Sequence, residues 1–318
     1  MARGTLIALA ALAAGCSGDA GPAAAAPAGA SAPAGPGWRV GTDRPVAAFF
    51  DCLRTRGVSV VSAHRGGPSA GFAENAISTM DRILATAPAV MEIDVATTSD
   101  GVLVLMHDDD LDRTTSGTGP VRDRPFAYVE TLVLEDANGR PTGQRVPTLN
   151  DALDWADGRT ILQLDIKRST RYADVARAVG ERAAFDRVVF IAYTPAQAAA
   201  IARAAPDAFI SVTIGEADDL EVLEQSGLAP SRLLAWTGAD QPDFDLDARL
   251  ADFGVETAFG TLGGRSSLDR RFAQEGDEGY RAIAGGGIEL IATDRPMPAA
   301  AAIASDDDVR CGIAKTGG

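Results

Sequence analysis

The 318-residue sequence predicts an α/β fold, a (β/α)8 TIM barrel with a small cap inserted after the second strand. Three observations predict it. From about residue 45 onward, short apolar or β-branched runs alternate with amphipathic stretches. The runs are nearly continuous in apolar side chains, as in a parallel sheet covered by helices. Eight of them fall within about 240 residues, the number and span of one closed barrel.

The elements follow in order. The first strand is 58–63 (VSVVSA), and 75–87 has the apolar spacing of a helix. The second strand is 90–95 (VMEIDV). Ser99-Asp100-Gly101 then separates it from a further apolar run, 102–106, and Asp-Gly between two such runs signals a tight hairpin. Residues 108–147, punctuated by Gly, Pro and Thr, read as the inserted cap, followed by a helix over 148–157. Strands at 161–166, 188–193, 209–214, 233–237, 255–261 and 288–293 complete the barrel. Helical stretches at 171–184, 195–205, 217–226 and 268–284 lie between most of them.

Before the barrel, residues 1–16 (MARGTLIALAALAAGC) have an early positive charge, a short apolar run and small residues before Cys16. That pattern reads as an export signal, too short for a mature membrane span. Ala13-Ala14-Gly15 before cysteine resembles a bacterial lipobox, with Leu12 one place earlier than usual. The expectation is an envelope or periplasmic protein lipid-anchored at Cys16; cleavage in the linker to release a soluble protein is the alternative. Residues 17–37 are Ala, Pro and Gly with almost no large side chain, a tether that cannot bury enough surface to order itself. The folded part is then 38–318. Cys52 and Cys311 fall near its two ends and could pair in an oxidising compartment; two separate buried thiols are the alternative.

A net charge of −15 with no basic run excludes a nucleic-acid partner. The chemistry-bearing residues sit where barrel strands end. His64 follows the first strand, and His107, the second of only two histidines, closes the hairpin. Glu92 and Asp94 share one face of the second strand, and Asp165 and Lys167 share one face at the end of the third, because side chains alternate. Met91, Ile93, Val95 and Ile166 take the opposite face. Three converging carboxylates are costly unless paired or ligating a metal, and an all-oxygen set suits Ca²⁺ or Mg²⁺ rather than zinc. Arg65 and Lys167 add the positive charge that a bound phosphate needs. His64 and His107 could then serve as general base and general acid. Taken singly, each feature has an ordinary structural reading as a hydrogen-bonding histidine or an ion pair. Their convergence at successive strand ends favours a site.

The motifs "AHRG" (63–66), "EN" (74–75), "MEIDVATTSDGVLVLMHDDDLDRTTSGTG" (91–119), "VPTLNDAL" (146–153), "LDIK" (164–167) and "IATDRP" (291–296) occur in that order. Together they resemble the glycerophosphodiester phosphodiesterase family of metal-dependent barrel enzymes. The resemblance implies His64 as proton acceptor and His107 as proton donor. It implies Glu92 and Asp94 as ligands of one divalent cation, with Asp165 at the position of the third ligand, Arg65 and Lys167 contacting phosphate, and Asn75 on the substrate side, where it helps hold the site. It implies hydrolysis of a small phosphodiester to an alcohol and glycerol phosphate.

Two departures stand out. The third ligand is usually glutamate, whereas this chain has Asp165, as the similar sphingomyelinase D-like enzymes do. The family's Trp-Thr pair usually lies in the seventh strand. Here Trp236-Thr237 lies in the sixth, so either Phe259 lines the pocket instead or the strand count is off by one. Rival readings are phospholipase D-like activity on lysophospholipids or sphingomyelin, and a non-catalytic envelope lipoprotein that binds phosphorylated ligands. "DDDLDRTTSGTG" is not a calcium loop, since Arg113 takes the glycine position. No Gly-x-Ser-x-Gly elbow supports a serine hydrolase.

Overall fold

Apolar strands too short to stand alone bury both faces here by closing on themselves. In the computed structural model, which describes Met1 and residues 37–316, the barrel strands are β1 (Val60–Ala63), β2 (Val90–Thr97), β3 (Leu162–Ile166), β4 (Val188–Ala192), β5 (Phe209–Thr213), β6 (Leu233–Gly238), β7 (Glu256–Gly260) and β8 (Leu290–Thr293). Each lies within two residues of its expected bounds. All eight pair in parallel, and β8 returns to β1 with Leu290 opposite Val60 and Thr293 opposite Ala63. The expected export segment 1–16 and tether 17–37 lie outside the described residues, apart from Met1 and Gly37.

Strand alternation splits the core into two apolar clusters. Val61, Ala63, Met91, Ile93, Val95, Leu164 and Phe190 point outward under the helices. Val60, Val90, Ile161, Val189, Phe209 and Leu290 point inward at the N-terminal end, where Phe49, Phe50 and Leu53 close the cylinder. Those three come from a helix, Val46–Arg56, that was not among the expected elements. Phe50 stacks on Phe209 with centroids 5.5 Å apart. Each buried Phe or Leu contributes about 1.5–3 kcal/mol, against at most ~1 kcal/mol for an exposed ion pair such as Arg54–Asp51. Apolar burial therefore seats the plug and leaves the opposite end open for chemistry.

Two insertions shape that open end. The strand Leu103–Leu105 runs back along β2, with Leu105 opposite Val95, and the Met106 N–H donates to Asp94 O at 3.0 Å. This hairpin carries His107 to the rim. The cap beyond it has a small core of its own: Leu111, Val121, Val129, Leu132 and Leu134 pack with Ala73, Ala96 and Met106. One expectation needs correction. Residues 268–284 are two helices, Leu268–Glu275 and Glu278–Gly285, broken at Gly276, whose φ is +114°.

The two ends of the described segment 37–316 meet. Trp38–Val40 pairs antiparallel with Ile313–Lys315, and Cys52 is disulfide-bonded to Cys311 across a sequence separation of 259. Closing a loop that long removes on the order of 5 kcal/mol of chain entropy from the unfolded state. Cys52→Ser together with Cys311→Ser is expected to lower the melting temperature by several degrees with the fold retained. An unchanged melting curve would show that the bond contributes nothing.

Candidate active site

β1 delivers His64 at its end, and the chain then turns sharply. Arg65 is left-handed (φ +52°), followed by Gly66 (φ +77°) and Gly67 (φ +81°). A Cβ at Gly66 would sit 2.8 Å from Met80 Cγ, and one at Gly67 would sit 2.8 Å from Ile83 Cγ1. The turn lies flat on the helix Ile77–Thr86, and only glycine fits there. Arg65 bears the conformational cost, of order 1–3 kcal/mol. In return its backbone N–H donates to Glu92 Oε2 at 2.7 Å.

The carboxylates converge through register. Asp94 on β2 stands directly opposite Asp165 on β3, and Glu92 opposite Gln163. Oxygens of Glu92, Asp94 and Asp165 all lie within 4.8 Å of one another, and all three residues are buried. Lys167 Nζ reaches Asp94 Oδ1 at 2.6 Å and also bonds Asp165 Oδ2. Burial works against the Lys167 charge, but the Asp94 and Asp165 carboxylates outweigh it and raise its pKa. Burial first, then the Asp94 charge, push the Glu92 carboxyl well above the ordinary range. One ammonium thus faces three carboxyl groups, and even with Glu92 protonated the two aspartates outnumber it. A hard divalent cation matches both that charge and the oxygen donor set, so the residues present fit a metal.

Both imidazoles line the same cavity of about 240 Å³ as the three acids. His64 Nδ1 pairs with Asp294 Oδ1 at 2.7 Å, and His107 Nδ1 pairs with Asp108 Oδ1 at 2.6 Å. With each Nδ1 engaged, Nε2 is the nitrogen left for chemistry. Burial pulls the His64 pKa down. The Asp294 hydrogen bond and the charges of Glu92 and Asp294 outweigh it, leaving the pKa above its ordinary value.

Several functional contacts were not foreseen. Asp294 belongs to the quoted "IATDRP" stretch, but nothing in its spacing announces a partner on β1. It is held by Asp269, whose Oδ2 accepts its N–H at 2.6 Å and whose Oδ1 accepts from Tyr280 (2.6 Å) and Thr293 (2.8 Å). Tyr193 OH donates to Asp165 Oδ2 at 2.9 Å. Its side shows in the sequence: Val189, Ile191 and Tyr193 alternate inward along β4 and its end.

Other expectations change. Asn75, expected at the substrate, is buried: its Nδ2 donates to Asp94 Oδ2 at 2.7 Å and its Oδ1 accepts the Asp94 N–H at 2.9 Å. Those two bonds hold the Asp94 carboxylate and backbone in place. Trp236 does lie in the sixth strand and lines the cavity, so the strand count stands. Phe259 is fully buried in the outer cluster. Gly260 makes room for the indole, since a Cβ there would meet Trp236 Cη2 at 2.6 Å.

Asp94→Asn and Asp165→Asn are each expected to weaken Ca²⁺ or Mg²⁺ binding at least about tenfold, roughly 1.4 kcal/mol. Calorimetry on the full chain checks it. Failure of the unmutated chain to bind either ion would remove the metal centre.

The glycerophosphoryl diester phosphodiesterase family matches residues 64–227, from the first histidine past the third carboxylate. A Bacillus subtilis protein named only as uncharacterized, YqiK, is 33% identical over 153 residues, 46% of this chain and 63% of its own length. The glycerophosphodiester phosphodiesterase of Caldanaerobacter subterraneus is 34% identical over 111 residues, 34% of this chain and 45% of its own length. The chain thus spans less than two thirds of the length of these two curated relatives. A crystal structure of a glycerophosphoryl diester phosphodiesterase from Parabacteroides distasonis superposes with a TM-score of 0.76 at 29% identity, covering 84% of this chain and 94% of the other. By the extent of the family match, and with the barrel and its acidic triad in place, this chain belongs to the glycerophosphoryl diester phosphodiesterase family.

Proposed function

We propose that the chain is a metal-dependent phosphodiesterase that hydrolyses glycerophosphodiesters to an alcohol and glycerol phosphate. The observation that carries this reading is the convergence of the only two histidines and the Glu92–Asp94–Asp165 cluster on one cavity. The names of the Caldanaerobacter and Parabacteroides proteins support the substrate class.

In this mechanism Glu92, Asp94 and Asp165 hold one divalent cation, Ca²⁺ or Mg²⁺. When bound, such an ion draws charge from phosphoryl oxygens as a Lewis acid. His64, with Nδ1 on Asp294, takes the proton of the attacking hydroxyl at Nε2. His107, with Nδ1 on Asp108, gives its Nε2 proton to the departing alcohol oxygen. The Lys167 ammonium and the Arg65 guanidinium supply the remaining positive charge beside the phosphate. Among the described residues Arg65 Nε has no hydrogen-bond partner, and its Nη1 donates to Glu74 at 3.2 Å.

His64→Ala and His107→Ala are each expected to cut kcat on glycerophosphocholine by roughly a hundredfold or more, the usual contribution of a positioned acid or base, and EDTA is expected to abolish turnover. Rates that survive EDTA would exclude the metal mechanism. No turnover of any diester with either ion would favour the phosphate-binding lipoprotein.

We also propose export with lipid anchoring at Cys16. The Cys52–Cys311 disulfide supports an oxidising compartment, and the lipobox-like run before Cys16 supports the anchor. Labelled fatty acid is expected to enter the full chain and to be lost in Cys16→Ser. An unlabelled parent chain would leave a soluble exported protein.

A further inference from the structure

The Arg113 guanidinium grips two carboxylates at once. Its Nε and Nη2 donate to Asp108 Oδ2 (2.6 Å) and Oδ1 (2.9 Å), while its Nη1 and Nη2 donate to Glu74 Oε2 (2.9 Å) and Oε1 (2.8 Å). Asp108 in turn holds His107 Nδ1, and Glu74 holds Arg65 Nη1. One cap side chain therefore stands behind both the imidazole assigned as proton donor and an arginine assigned to phosphate. The His64 side is built otherwise: among the described residues no Lys or Arg ion pair reaches Asp294, whose carboxylate meets the Gly263 N–H and His64 while its own N–H donates to Asp269.

An isolated exposed ion pair would mean little. Two forked pairs sharing one guanidinium are different, because the planar fork fixes direction as well as distance. Asp108 cannot swing away from His107 without breaking both bonds to Arg113. Glu74 likewise ties the loop after β1 to the cap. Lysine, a point charge, cannot hold both carboxylates in this geometry.

We infer that Arg113 is a positioning residue: through Asp108 it aims His107 for proton donation, and through Glu74 it couples that alignment to Arg65. The inference rests on the phosphodiesterase reading above and deepens it. Nothing is asked of Arg113 beyond the hydrogen bonds already described.

The test compares Arg113→Lys and Arg113→Gln in the full chain with Ca²⁺ or Mg²⁺. The substrates are glycerophosphocholine and the same diester carrying p-nitrophenol in place of choline. Choline leaves poorly without a proton, whereas p-nitrophenolate needs none. With a positioned acid worth roughly a hundred- to ten-thousandfold, kcat for the choline diester is expected to fall at least about tenfold further than kcat for the nitrophenyl diester. Equal loss on both substrates, or no loss, overturns the inference and leaves Arg113 a structural clamp. Arg113→Lys keeps a charge between the two acids, so the test stands if the glutamine variant fails to fold.

A parent chain inactive on both diesters would sink the phosphodiesterase reading, and the imidazole NMR spectrum would then decide the positioning on its own. With two histidines, assigned through His64→Ala, the His107 Nδ1–H resonance is expected to shift or vanish in Arg113→Lys while that of His64 stays. An unmoved His107 signal overturns the inference whatever the activity.

Discussion

The structure depends on one electrostatic constraint, the burial of three carboxylates side by side at the open end of a barrel. Removing even one such charge from water costs several kcal/mol, and close like charges add to it. The surroundings of the cluster answer that cost. Lys167 lies against two of the acids, the strained Arg65 turn aims an N–H at the third, and Asn75 and Tyr193 donate to Asp94 and Asp165. Even so the acids outnumber their one ammonium, and Glu92 is pushed towards its neutral form. A fold that needed only stability would place apolar side chains here, as it does one layer below at Val60, Val90 and Ile161. The retained negative charge is the strongest physical sign that the site is built around a cation.

The rest of the chain keeps that charge in place. The two ends of the barrel have opposite tasks. At one end Phe49, Phe50 and Leu53 plug the interior, and the Trp38–Val40 and Ile313–Lys315 strands and the disulfide tie the first and last parts of the described segment together. At the other, each imidazole is held through Nδ1 by an aspartate that is itself anchored, Asp294 by Asp269 and Asp108 by Arg113. The anchoring differs in kind. Asp269 is buried and satisfied by a tyrosine, a threonine and a backbone N–H, so it is as rigid as the core. Arg113 is half exposed and belongs to a cap with its own small apolar cluster. One histidine is therefore tied to the barrel and the other to an element that packs onto it.

Most of the architecture was legible in the sequence because alternation is a local signal. Glu92 and Asp94 on one face, with Met91, Ile93 and Val95 on the other, follow from parity alone, and the structure keeps that division. The hairpin to His107 was legible from Asp100-Gly101. What escaped was non-local or depended on which side of a wall a residue faces. Asp294 meets His64 across 230 residues, and the Arg113 fork spans 39 residues to Glu74. No pattern in either stretch encodes the contact. Trp236 and Phe259 stand on neighbouring strands with opposite facings, which the aromatic residues themselves do not reveal. Asn75 was expected on the substrate side from its match to the family's loop after the first strand, and its left-handed backbone turns the amide inward onto Asp94.

The shorter third acid can be judged in the same terms. Aspartate at 165 reaches one methylene less far than glutamate, and taken alone that would draw an oxygen out of the cluster. Register works against the loss, since Asp165 stands directly opposite Asp94 on the adjoining strand. Its carboxylate is also held from two sides, by Lys167 and by the Tyr193 hydroxyl. The result is an oxygen still within 4.8 Å of those of Glu92 and Asp94. Tyr193 is thus the natural complement of the shortened side chain: the residue stands at the mouth, 59% exposed, while its hydroxyl reaches back to fix the acid. The departure at residue 165 costs the cluster reach but not convergence, and convergence is what a shared cation requires.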